Sequence, residues 1–80
     1  MNNYLATFYN QFGAIHFYQS LGKKGIQGEL APVPRRISAS CGTCVRFRTD
    51  LPLEALYRGE SVKEIYRVNG SQFDLQFQSR

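Results

Sequence analysis

An α+β fold with one antiparallel sheet is predicted by three features of this 80-residue sequence. Residues 3–9, NYLATFY, concentrate aromatic and β-favouring side chains. Segments 10–25 and 50–59 carry apolar residues at helical spacing, and four further segments read as strands between turn signals. The resulting order, β-α-β-β-α-β with an added C-terminal strand, is the ferredoxin-like sandwich, a single sheet with both helices on one face. A chain this short buries only about 60% of its unfolded surface, so one domain over residues 1–80 with one core is expected.

The first strand ends at Asn10, a good N-cap for a helix whose apolar positions are Ala14, Ile15, Tyr18 and Leu21. Lys23, Lys24 and Gly25 give that helix a basic last turn and a stop. His16, the one histidine, lies roughly 160° from Tyr18 at about 100° per residue, which predicts a solvent-facing side chain. The segment 26–34, IQGELAPVP, reads as a second strand confined to a sheet edge by Pro32 and Pro34. Residues 36–43 form a turn into a third strand, Cys44 to Arg48, in which Val45 and Phe47 face inward and Arg46 and Arg48 outward, with Cys44 on the side of Arg46.

Asp50 is the expected cap of a short second helix of two to three turns, with Leu53, Leu56 and Tyr57 on one side and Gly59 beyond it. A fourth strand follows at 61–68, then the turn signal Asn69-Gly70-Ser71. The tail QFDLQFQ alternates throughout and predicts a strand with Phe73, Leu75 and Phe77 on one face. That strand is expected to pair with the fourth or to form an edge through which a second copy joins as a homodimer.

The composition, 42% hydrophobic and 14% aromatic, excludes a disordered chain. No apolar run reaches the roughly 18 to 20 residues that span a bilayer, and the N-terminus lacks signal-peptide features, so a cytoplasmic protein without membrane attachment is expected. The net charge of +4 is unevenly placed: Arg35, Arg36, Arg46 and Arg48 stand between residues 30 and 49 with no acid among them. Such a field attracts phosphate, nucleic acid, an acidic protein surface or a thiolate.

Within that basic stretch lies Cys41-Gly42-Thr43-Cys44. Tetrahedral zinc needs four ligands, and two cysteines with one distant histidine do not supply them, so no metal site and no cofactor are expected. A thioredoxin-like dithiol sits at a helix N-terminus, whereas this motif leads into a strand; Cys44 is retained as a resolving thiol only. A carrier thiol needs less machinery. Cys41 has Gly42 beside it, hydroxyls at Ser38 and Ser40, and Arg35, Arg36 and Arg46 to hold negative sulfur. No general base or phosphate loop accompanies it, which favours a non-catalytic carrier over an enzyme. The rival reading is a basic module for RNA or an acidic protein, with nucleic acid disfavoured because VRFR lacks the aromatic density of an RNA-binding strand.

The strand YLATFY, the helix end GKKGI and the block PRRISASCG followed by VRF resemble a family of small bacterial proteins, the selenium/sulfur carrier protein-like family. The resemblance covers about residues 3–68, leaving 69–80 as a C-terminal extension. Its pattern falls on Pro34, Arg35, Ile37, Ser38, Ser40, Cys41, Gly42, Arg46 and Phe47. It implies a cytosolic role in selenium or sulfur metabolism. On that reading Cys41 accepts a persulfide or selenopersulfide from a donor such as a cysteine desulfurase and passes it to an acceptor. Cys44 lies outside the pattern.

Overall fold

The computed structural model describes residues 1–37 and 41–79. The chain forms β1 (Asn2–Phe8), α1 (Gln11–Lys23), β2 (Gly28–Pro32), β3 (Thr43–Thr49), α2 (Glu54–Tyr57), β4 (Val62–Asn69) and β5 (Gln72–Gln78). All pairings are antiparallel, and the strand order is β2-β3-β1-β4-β5. This is the expected ferredoxin-like α+β sheet, extended by β5 beyond β4.

Alternation along the strands divides the sheet into two sides. Tyr4, Ala6, Phe8, Val45, Phe47, Val62 and Ile65 face the helices and form the main core with Ala14, Phe17, Leu21, Ile26 and Leu56. On the other side, Leu5, Cys44 and Ile37 form a second buried cluster with Ala31, Val33, Tyr66, Val68 and Phe73 against it. Ile37 belongs to the loop after β2, so that loop folds back over the sheet. Arg36 completes the crossing: its Nη1 donates to the Ser71 carbonyl in the β4–β5 turn at 2.9 Å.

Helix α1 has the predicted ends. The Asn10 side chain accepts from the Gly13 amide at 3.0 Å. At the other end Gly25, at φ +73°, lets Ile26 N–H return to the Leu21 carbonyl (2.9 Å) and its own N–H to Gly22 (3.1 Å), a Schellman closure. That bond takes the amide of Ile26 out of the sheet, which is why β2 begins at Gly28 rather than at 26.

Three local expectations differ from the structure. The buried stripe of α1 is Gly13, Ala14, Phe17 and Leu21, while Ile15 and Tyr18 are exposed. Phe17 wins the core position because its ring meets Phe8 (5.4 Å between centroids) and Phe47 (5.6 Å). Helix α2 is a single turn without a side-chain cap, and Asp50 pairs instead with the N-terminal amine at 3.5 Å. Pro52 accounts for the lost cap, since it drives Leu51 before it from helical geometry and so separates Asp50 from the helix. Finally, β5 does not keep one apolar face. Tyr66 pairs with Leu75 but Ile65 with Phe77, a bulge that adds Gln76 to the outer strand. Phe73 therefore joins the second cluster, while Phe77 turns to the helix side and stacks on Tyr57 at 3.9 Å.

Candidate functional site

Cys41 sits two residues before β3, where the loop's neck is closed by the Val33 amide donating to the Gly42 carbonyl at 3.1 Å. Its side chain is half-buried and packs against the helix-side core. The thiol donates to the Thr43 carbonyl at 3.3 Å. Gly42 is exposed, so the backbone beside the thiol is open to solvent.

Cys44 occupies different surroundings. It is fully buried in the cluster on the opposite side of the sheet, and its thiol donates to the Pro32 carbonyl at 3.6 Å. Burial pushes this thiol's pKa up, against a smaller opposing pull from Arg46. Both cysteines are free thiols. Strand alternation does put Cys44 on the side of Arg46, but the folded-back loop covers it.

Three of the arginines are turned to other places. Arg36 is committed to Ser71 at the far corner of the sheet, and Arg46 and Arg48 project from β3 beside Asn3 and Glu29. Arg35 is exposed on the loop. Among the described residues the hydrogen-bond partner of the Cys41 thiol is a carbonyl, and no guanidinium bonds to it. Ser38 and Ser40, also expected at the site, lie outside the described residues.

Two features were beyond the reach of sequence reasoning. Thr7, opposite Cys44 in the β1–β3 register, is fully buried, and its Oγ1 has no hydrogen-bond partner among the described residues. Nothing in an isolated strand signals which residue will face it. His16, exposed as expected, pairs through Nδ1 with Glu60 Oε1 at 2.7 Å, tying α1 to the turn before β4; 44 residues separate the partners in sequence. Among the described residues, no group of three His, Cys, Asp or Glu side chains converges as a metal site would require.

An exposed glycine, a half-buried thiol and a second thiol locked in a core describe a protein with one presentable sulfur. The chain belongs to the family described as Putative Se/S carrier protein-like, whose sequence pattern matches residues 3–67. The match ends within β4, and β5 lies beyond the matched residues. No curated protein and no solved structure matches the chain.

Proposed function

We propose that the protein carries sulfur or selenium on Cys41 between a donor and an acceptor protein. The observation that supports this most directly is the difference between its thiols: Cys41 is half-buried beside exposed Gly42, whereas Cys44 is enclosed. Membership of the carrier-like family supplies the class of cargo.

In the loading step the Cys41 sulfur, having lost its proton to solvent, attacks the terminal sulfur of a donor persulfide. The S–S bond of the donor breaks, its cysteine leaves as a thiolate and takes up a proton, and Cys41 becomes the persulfide. Unloading repeats the exchange with the acceptor's thiol as nucleophile, and a selenopersulfide follows the same balance. The Cys41 thiol must release the Thr43 carbonyl to react, so the loop end has to adjust on loading. The reducing cytoplasm suits this chemistry, because it keeps cysteines as free thiols.

Incubation with a cysteine desulfurase and free cysteine, followed by intact-protein mass spectrometry, tests the proposal. One added sulfur is expected on the wild type and on Cys44→Ser, and none on Cys41→Ser. Loading that persists in Cys41→Ser, or a wild type that gains no sulfur, would overturn it.

The same sheet in an RNA-binding role would need stacking platforms on its open side. There β1 and β3 present Asn3, Leu5, Thr7, Cys44, Arg46 and Arg48, and the rings on that side, Tyr66 and Phe73, are half-buried against the cluster that Ile37 closes rather than standing free for a base.

A further inference from the structure

β2 enters the sheet late. Gly28 pairs with Phe47, so Arg48 and Thr49 at the end of β3 have β1 on one flank and no strand on the other. The step this leaves is part of a groove of about 610 Å3 that runs from Gln27 and Glu29 across Arg46, Arg48 and Asn3 to Val68. Its size is that of a binding cleft, and its lining is mixed: Tyr4, Phe47 and Val68 contribute apolar surface, while Arg46, Arg48 and Glu29 supply the charge.

Arg46 and Arg48 are outward-facing members of one strand whose inward members, Val45 and Phe47, are fixed in the core. The strand thus sets their spacing: alternate residues stand about 7 Å apart. Among the described residues neither guanidinium makes a hydrogen bond or an ion pair, even though Glu29 is the cross-strand neighbour of Arg46. Two unpaired arginines on a rigid strand are pre-organised to receive carboxylates.

We infer that this groove docks an extended acidic segment of a partner protein. A peptide in extended conformation repeats its side chains on one face at the same 7 Å or so, so acidic residues at alternate positions meet Arg46 and Arg48 together. Glu29 selects against a uniform polyanion such as RNA, whereas a peptide can place a neutral or basic residue beside it. The two rings that border the groove, Tyr4 and Phe47, are buried in the core and offer no stacking face, which points the same way.

The groove is remote from the reactive sulfur. Arg48 pairs with Asn3 at one end of β1 and Cys44 with Thr7 at the other, and Cys41 lies beyond Cys44. One strand therefore holds the docking surface at one end and leads from the cargo thiol at the other. That the acidic partner is a sulfur or selenium donor or acceptor rests on the carrier reading; the docking geometry does not.

The test is fluorescence anisotropy with a fluorescein-labelled peptide of alternating glutamate and serine, and with a single-stranded RNA of equal length as competitor class. The wild type should bind the peptide, more weakly as salt rises, and Arg46→Gln/Arg48→Gln should lower the affinity at least about tenfold. Arg35→Gln and Cys41→Ser should leave it unchanged. Circular dichroism melting checks the double variant's fold, and Arg48→Gln alone serves if it melts early. No peptide binding by the wild type, equal binding by the double variant, or tighter binding of RNA would overturn the inference. Loading of Cys41 from glutathione persulfide is measured in parallel: the double variant should load like the wild type. Failure of both to load sinks the carrier reading while leaving the docking result intact.

Discussion

Cys41 and Cys44, three positions apart in sequence, pack against opposite sides of one sheet. The first touches the core beneath the helices, and the second lies in the cluster roofed by Ile37. The strand that begins at Thr43 separates their environments, and each thiol is bonded to a different carbonyl.

This separation predicts ordered modification. Under native conditions iodoacetamide should label Cys41 first, and Cys44 only after the protein is unfolded, because burial both blocks access to Cys44 and raises its pKa. Peptide mapping after a time course reads the order. Equal labelling rates would show that the second cluster opens freely.

Alkaline pH should destabilise the fold in two steps. The Cys44 thiol is raised by burial, and the Tyr66 phenol is pushed up to about 12 by burial and by its bond to Glu64. For a raised pKa the contribution to stability is intact below the unfolded value and is lost as pH climbs through the folded one. Denaturation midpoints should therefore fall above the ordinary thiol value of about 8.5, and again above the phenol value of about 10. Tyr66→Phe should abolish the second decline, as read by urea titrations across that range.

The buried hydroxyl of Thr7 offers a stabilising substitution. An unmet polar group of this kind costs about 1 to 3 kcal/mol, and Thr7→Val replaces it with a methyl of similar shape. A gain of roughly 1 kcal/mol in chemical denaturation is expected. A loss would mean that the hydroxyl is satisfied in solution.

Phe17 should be a costly core position. It is fully buried between Phe8 and Phe47, and Phe17→Ala should lose about 3 to 5 kcal/mol. The same truncation at exposed Phe12 should change stability by less than about 0.5 kcal/mol. Comparable losses at the two positions would reject the helix orientation.

Patterns confined to one element were legible in the sequence, and relations between elements were not. The order of strands, the Asn10 cap and the Gly25 stop are local events with local signals. The α1 stripe slipped because Phe17 competes with Ile15 and Tyr18 on hydropathy alone, and only the rings of β1 and β3 decide between them. The perfect alternation of QFDLQFQ misled for a similar reason: the bulge is created by pairing with β4, and it changes Phe77's face without changing a letter. At the site, the cluster of arginines in sequence suggested a cluster in space. Strand alternation and the fold-back of the loop instead sent Arg36, Arg46 and Arg48 away from Cys41.

β1 is the central strand, yet its neighbours arrive from far along the chain: Asn3 pairs with both Arg48 and Val68. The β4–β5 and β2–β3 pairings close much shorter loops and can form earlier. The sequence separation of the β1 pairings predicts that insertion of β1 between the two hairpins is the slow event of folding, to be read as late protection of the β1 amides in pulsed hydrogen exchange. Before it, Thr7 and Leu5 are not yet in place beside Cys44, and both thiols are open to the same solvent. On that order, an oxidant acting on the newly made chain should meet a dithiol, and one acting on the finished fold a single accessible thiol.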